Sequence, residues 1–339
     1  MSSPRPPAMS DVAVIAGVSH QTVSRVLNGH PSVRAETRER VVAAIAELGY
    51  RRNTAARALV TRRSGTIGVV TSGLALFGPT STFIAVERAA RDAGLFVSVA
   101  TVAQWEPHAM HGVLEHFMSQ AVEGVVVIAA RDEAVEAVQA FDAPVPVVMV
   151  GPKHLPGDVP GTRLQSVAVN QYVGARLATR HLLDLGHAHV THLAGPDEID
   201  ARERARGWQD ELEAAGIVAG EPIWADWSAG QGYEAGRRLL TGELPTAVFA
   251  ANDQLALGLL HAFSEGGVRV PDDVSVVGFD DVDGSAHFSP PLTTVRQEFG
   301  PLGRRCVQLL LAAIAGHRTE PELIEPHIVV RASSGPPRG

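Results

Sequence analysis

The stretch Ser19-His20-Gln21-Thr22-Val23-Ser24-Arg25-Val26-Leu27-Asn28 decides how the rest of the chain is read. Val23, Val26 and Leu27 fall at i, i+3 and i+4 and form one apolar stripe of a short helix. His20, Gln21, Ser24 and Arg25 lie off that stripe, towards its N-terminal end. Ser19 is a good N-cap, and the partial positive charge of a helix start favours a phosphate there. The preceding amphipathic segment, Met9 to Val18, contains Gly17, a residue suited to a turn that needs positive φ. A helix that docks one face on its own small core and presents a polar row outward can read base edges in a major groove.

Working outward, Asp11 to Val18 predicts a first helix with Val12, Ile15 and Ala16 on a common face. Ala35 to Leu48 predicts a third, with Val41, Val42, Ile45 and Leu48 apolar and Gly49 in the place of a C′ glycine. Residues 9–50 thus form an all-α headpiece. Residues 51–65 then read as a hinge helix and linker. Asn53 can cap a short Ala-rich helix that ends near Leu59, and a helix of this length is marginal alone in water. It should fold only when something stabilises it. Residues 1–8 and 333–339 read as disordered tails.

From Thr66 onward continuous apolar strands alternate with helices. Ile67–Val70, Phe96–Ala100, Val125–Ile128 and Val147–Val150 form one series; Ser166–Val169, Val190–Leu193, Ala247–Ala250 and Ser275–Val277 form a second. Helices are expected near Thr82–Ala93, at Arg202–Ala215 and at Pro301–Ala315, among others. The pattern implies parallel sheets covered on both faces, hence an α/β core of two doubly wound lobes. Their ligands should bind beyond the carboxyl ends of the strands. The first lobe is expected over about 66–163 and 297–322, the second over about 164–296 and 323–332.

Charge divides the chain at the same place. Residues 1–65 carry 10 Lys+Arg against 4 Asp+Glu, a net of +6, while the remainder carries 19 against 33, a net of −14, within an overall −8. A small basic block on an acidic body is the footprint of a polyanion-binding module. The single cysteine, Cys306, excludes an internal disulfide and reads as a buried core thiol. The N-terminus lacks an apolar signal region and no apolar run reaches membrane length, so a soluble, cytoplasmic protein is expected.

Taken in order, the residues spell a family. Asp11-Val12-Ala13…Ala16-Gly17-Val18-Ser19…Thr22-Val23-Ser24-Arg25-Val26-Leu27-Asn28, then Thr37-Arg38…Leu48-Gly49-Tyr50…Asn53, resemble the headpiece of the LacI (lactose repressor) family of transcription regulators. The resemblance runs on through Ser72-Gly73-Leu74-Ala75-Leu76, Asp226-Trp227-Ser228, Ala251-Asn252-Asp253-Gln254, Gly278-Phe279-Asp280-Asp281 and Pro290–Val295. It implies a periplasmic-binding-protein-like core, a carbohydrate effector and a homodimer on a pseudo-palindromic double-stranded DNA operator. It makes Ser19, His20, Gln21, Thr22, Ser24, Arg25, Asn28 and Asn53 the DNA-contacting set, with Leu59 as a minor-groove wedge. Arg reads G and Gln reads A in the major groove, so the chemistry agrees. The effector residues it implies are Leu76, Asp200, Arg204, Trp227, Asn252, Asp280 and Phe299. An Arg fork, Asn and Asp suit adjacent hydroxyls, and two aromatic faces suit the C–H side of a pyranose.

Departures also matter. Arg34 stands where many relatives carry a Ser or Thr helix cap, and Tyr is frequent at the position of His20. Gly151 and Ile128 replace an aspartate and an asparagine of the family's namesake, which puts galactosides in doubt. The namesake's C-terminal tetramerisation helix has no counterpart after Val330, so dimers rather than tetramers are expected.

Enzyme chemistry finds few parts. No G-x-x-x-x-G-K-[ST] or G-x-S-x-G occurs, and the only lysine is Lys153. No cofactor motif is evident. His108, His111 and His116, and His187, His189 and His192, lack a carboxylate at ligand spacing. Two rival readings, a free sugar-binding protein and a DNA-tethered α/β enzyme acting on a sugar, leave respectively residues 9–60 and the missing nucleophile unexplained.

Overall fold

A computed structural model of the chain describes residues 5, 7–50, 63–73, 75–141, 143–151, 164–317 and 322–338. Residues 51–62 of the expected hinge and linker, with Asn53 and Leu59, lie outside the described residues, as does Lys153. The chain divides into two units, Met1–Ser64 and Gly65–Gly339.

The first unit packs α1 (Met9–Ala16), α2 (His20–Leu27) and α3 (Ala35–Leu48) around Val12, Ala16, Val23, Val26, Val41, Ala44 and Tyr50. Gly17 and Gly49 end α1 and α3 at φ +63° and +60°, the left-handed region that both turns require. Two expected core residues point outward: Ile15 is 46% exposed and Val42 54%. In α1 the buried face is Val12, Ala13 and Ala16, and in α3 the stripe runs through Val41, Ala44, Ile45 and Leu48. Each misplaced residue stands about 100° round its helix from that stripe, outside what so small a core can cover. Arg34 occupies the N-cap of α3 and makes no capping bond.

Among the described residues the second unit contains two six-stranded sheets. The first joins β1 (Thr66–Thr71), β2 (Phe96–Thr101), β3 (Val125–Ile128), β4 (Val147–Val150), β5 (Leu164–Val169) and β11 (Glu322–Ile324) in the order β11-β5-β4-β3-β1-β2, all parallel. The second joins β6 (Thr191–Ala194), β7 (Ile223–Trp224), β8 (Ala247–Ala250), β9 (Ser275–Asp280), β10 (Thr293–Arg296) and β12 (His327–Val329) in the order β12-β10-β9-β8-β6-β7. Only β12 runs antiparallel to its neighbour. Val, Ile, Leu and Ala fill both faces of each sheet, as parallel strands under helices demand. Cys306 is fully buried in the first lobe and its thiol pKa is raised by that burial. Among the described residues no helix is long and apolar enough to cross a membrane.

The lobe boundaries differ from expectation. The sequence places residues 164–169 in the second lobe, but Leu164 pairs in register with Val147 and belongs to the first. Glu322–Ile324 likewise pairs with β5, so the first lobe extends beyond 322. The chain therefore passes between lobes after Val169, after Arg296 and after Ile324. These crossings are tied together: Asn170 Nδ2 donates to Glu325 Oε1 at 2.9 Å, and Gln171 Nε2 to Gln297 Oε1 at 3.1 Å.

Two helices start earlier than the sequence suggests. The first-lobe helices Phe77–Asp92 (α4) and Phe299–Ile314 (α11) enclose Pro79 and Pro301 in their first turns. Proline there loses only an N–H that has no intrahelical partner. The C-terminal tail is also a correction. Ser333 is fully buried, its Oγ accepting from Thr293 N at 2.8 Å and donating to Val276 O at 2.6 Å. Gly335 N donates to Ser275 Oγ at 3.0 Å, and Arg338 pairs with Asp273 at 2.7 Å. Small polar residues that read as a solvated tail instead satisfy the polar groups along β9.

Candidate nucleic-acid interface and ligand site

Ser19 starts α2. Its Oγ accepts from Thr22 N at 3.2 Å and lies 2.9 Å from Thr22 Oγ1, which fixes the entry of the helix. His20, Gln21 and Arg25 are exposed and Ser24 is half-buried, so the expected outward row exists. Thr22 is half-buried and engaged in the cap. Asn28 ends the helix with Nδ2 at 3.4 Å from Ser24 Oγ, one turn back. Replacing Ser19 by Ala should cost the headpiece about 1 kcal/mol. Chemical denaturation of the headpiece signal would measure this, and an unchanged midpoint would show that the cap contributes nothing.

In the second lobe Arg204 is the centre of a buried cluster. It lies on the helix Ile199–Ala214 (α8) and is 4% exposed. Its Nε donates to Gln171 Oε1 at 2.9 Å, one terminal nitrogen donates to Ala251 O, and the other stands 3.9 Å from Asp280 Oδ1. The guanidinium lies 3.8 Å from the Phe279 ring centroid and 5.4 Å from that of Trp227, two cation–π contacts that help to hold it. Asp280 also accepts from Gln297 Nε2 at 2.6 Å. Asn252 is the N-cap of the helix Asp253–Glu265 (α10): its Oδ1 accepts from Leu255 N at 2.7 Å and its Nδ2 donates to Trp227 O at 3.1 Å. This ties the aromatic wall to the helix start.

Electrostatics in the cluster are dominated by desolvation. Burial pushes Asp280 up to about 6 and Asp200 up to about 7, with Arg204 opposing both shifts. Burial lowers the pKa of Arg204, and its carboxylate neighbours oppose that too. Each partner is thus pressed towards its neutral form, and the opposite charge beside it offsets part of that shift. Asp200 Oδ2 accepts from Gln171 Nε2 at 3.4 Å, while its Oδ1 is buried and has no hydrogen-bond partner among the described residues. Asp200 lines a small cavity with Gly151, Gln171 and Glu203, in the space between the lobes.

The first lobe supplies apolar groups. Leu76 precedes α4 and is 37% exposed; Phe299 opens α11 and meets Phe77 edge-on at 5.7 Å. The cluster therefore unites Arg204, Asp280, Trp227, Asn252 and, through Gln171, Asp200, whereas Leu76 and Phe299 stand on the other lobe. Gly151 has φ +137°, and a Cβ there would collide with Ala129 O. Ile128 is buried in the strand core. Gly151→Asp should therefore cost the core about 2 kcal/mol in backbone strain and give no galactoside binding. Thermal melts with and without lactose would measure both, and a stable, lactose-binding variant would contradict the steric argument.

Gln171 and Gln297 were missed by the sequence reading. Both are 7% exposed and link Arg204, Asp200 and Asp280. The available signal was a polar residue just past a strand end at each lobe crossing. Also missed were ion pairs across the cleft, Arg131 with Glu198 and Asp132 with Arg202, beside the backbone bond from Ile199 N to Ala130 O at 3.0 Å. Two of the histidines considered as metal ligands, His187 and His192, are engaged in hydrogen bonds instead. His187 bridges Thr246 and Gly335 at 3.0 and 2.9 Å, and His192 Nδ1 donates to Phe249 O at 3.0 Å with its pKa lowered by burial to about 4.

Comparison with known proteins gives the same two parts. Residues 8–53 match the bacterial regulatory proteins of the lacI family, and residues 179–334 match a periplasmic binding protein-like domain. The chain is 38% identical to the lactose operon repressor of Escherichia coli (strain K12) over 96% of its own length and 90% of the relative's. It is 36% identical to the HTH-type transcriptional regulator CelR of Thermobifida fusca, over 98% of this chain and all of that one. Among solved structures it superposes on the Lac repressor dimer bound to operator and the anti-inducer ONPF with a TM-score of 0.86, at 36% identity over 98% of this chain and 100% of that one. On a CelR–cellobiose complex the TM-score is 0.71, at 34% identity over 96% and 99% of the two chains. The chain belongs to the LacI family of bacterial regulatory proteins.

Proposed function

We propose that this protein is a sequence-specific transcriptional repressor that binds a pseudo-palindromic operator as a homodimer and releases it when a small carbohydrate binds between the core lobes. It acts in the cytoplasm. The observation that carries the reading is the buried Arg204–Asp280 pair, with the guanidinium against the Phe279 and Trp227 rings. A planar donor fork beside a carboxylate and an aromatic face is the chemistry of a polyol ring. Similarity to a regulator solved with cellobiose supports the same class.

His20, Gln21, Ser24 and Arg25 read base edges, with Ser19, Thr22 and Asn28 setting the helix ends; Asn53 and Leu59 belong to the hinge over the minor groove. In the core, Leu76, Asp200, Arg204, Trp227, Asn252, Asp280 and Phe299 form the effector pocket. The pairs joining the lobes at the cleft are half-exposed on their arginine side. Such pairs contribute about 1 kcal/mol each at most. A ligand with 1–3 kcal/mol of differential affinity, roughly the usual range of allosteric coupling, is enough to change the angle between lobes.

The test is a mobility-shift assay on DNA upstream of the protein's own locus, with and without cellobiose and lactose, beside thermal-shift measurements with a wider sugar panel. Sequence-specific binding that a sugar weakens supports the reading. No specific shift at low salt, or specific binding with no sugar raising the melting temperature, counts against it.

A further inference from the structure

Two consecutive non-glycine residues at the end of β9 hold positive φ: Asp280 at +113° and Asp281 at +54°. Residues with side chains rarely adopt this region, and two in succession persist only where the surroundings over-determine them. The restraint lies on Asp281. Its side chain is 5% exposed, and its hydrogen-bond donors are Arg331, Ser285 and Arg296 rather than Arg204. Oδ1 accepts from Arg331 Nη2 at 2.7 Å and from Ser285 Oγ at 2.9 Å; Oδ2 accepts from Arg296 Nε at 2.5 Å. Burial opposes the charge on Asp281, yet these donors outweigh it and keep its pKa low. The next residue is pinned as well, Val282 N donating to Asp253 Oδ2 at 2.9 Å.

Arg331 is itself fastened. Its Nη1 donates to Leu292 O at 2.7 Å and its backbone N to Thr293 Oγ1 at 2.9 Å. Ala332 N then donates to Pro291 O at 3.0 Å, and buried Ser333 bridges β9 and β10. The C-terminal segment is thus fastened to β9 and to the start of β10.

We propose that Asp281 and Arg331 are positioning residues for effector binding: the clamped Asp281 carboxylate holds the 280–281 backbone in the left-handed region and so aims Asp280 at Arg204 and Gln297. Neither residue needs to touch the sugar. The proposal rests on the reading of Arg204 and Asp280 as the effector site.

The test uses the full-length protein with Asp281→Ala, Asp281→Gly and Arg331→Gln, read by crystal structures without sugar and by calorimetric titration with cellobiose and lactose. The expected result is loss of the 2.6 Å bond between Asp280 and Gln297 in each variant. Affinity for whichever sugar binds the wild type falls at least about tenfold, and combining Asp281→Ala with Arg331→Gln adds little. Asp281→Gly tolerates positive φ, so its loss of the Asp280 pose assigns the effect to the missing carboxylate. Arg331→Lys should recover part of the affinity. If Asp281→Ala does not fold, Arg331→Gln, which leaves the strained residues in place, carries the test. An unchanged Asp280–Gln297 bond, or lower melting temperature with unchanged sugar affinity, overturns the proposal. If the wild type binds neither sugar, that counts against the effector reading for these probes, and the geometry in the sugar-free crystals still decides the clamp.

Discussion

Arg204→Met is expected to abolish the effector response and to destabilise the core by about 3–5 kcal/mol at pH 8, the cost of removing one partner from a buried ion pair. The substitution retains the aliphatic volume between Phe279 and Trp227 but leaves Asp280 and Asp200 without their cation. In the wild type, with Arg204 opposing the shift, these carboxyls already sit at about 6 and about 7 against an ordinary 3.8. Without the arginine they move higher. Above those values the folded variant must either bury bare carboxylates or take up protons, and either is costly. Below about pH 5 both carboxyls are neutral in the folded state, and the uncompensated charge vanishes. The penalty should therefore be largest at pH 8 and shrink as the pH falls through the folded-state values. Denaturant titrations at pH 5 and pH 8 measure this. A penalty equal at both pH values would mean that Arg204 contributes packing rather than charge. Operator binding should survive wherever the variant is folded, and its loss there would mean that Arg204 supports the DNA-binding state directly.

Arg25→Ala should weaken specific operator binding by about 1–3 kcal/mol per half-site, roughly fivefold to 150-fold, and relax preference at one base position. Arg25 is exposed on α2, on the same outward row as His20 and Gln21, so headpiece folding should be untouched. Mobility shifts on the wild-type operator and on single-base variants separate the alternatives. If the loss is uniform across all sequences and the salt slope falls by about one, Arg25 contacts a phosphate and another residue reads the base. In a homodimer both half-sites lose the contact together, which makes this the largest single effect expected on the DNA side.

Much of this protein is legible in the chain as written. The headpiece follows from spacing and caps: Ser19 starts α2, Gly17 and Gly49 end their helices, and Val23, Val26, Val41 and Ala44 meet in one core. These are interactions within a turn or two, where local propensity and periodicity are the whole cause. The alternation of apolar strands and helices from Thr66 likewise specifies two doubly wound lobes, because only parallel sheets covered on both faces can bury such strands. Errors fall at the edges of patterns. Ile15 and Val42 are apolar yet lie just round the helix from a core too small to reach them. The helices expected near Thr82 and from Pro301 begin earlier, because proline is tolerated in a first turn.

Contacts between distant segments are another matter. Gln171 and Gln297 are 126 residues apart and meet only because the chain crosses between lobes at both places. Arg131 and Glu198 are separated by 67 positions and face each other only once both sheets are built. Periodicity within the segment 333–338 reads as solvated, because the groups it satisfies on β9 are some 60 residues away. The positive φ angles of Asp280 and Asp281 leave no trace in composition. Residue types and their local spacing were enough to point to the family and to place His20, Gln21 and Arg25 on the outward row of α2. The network that aims Arg204 and Asp280 depends on sheet order and lobe crossings, which bring its members together only in the folded chain.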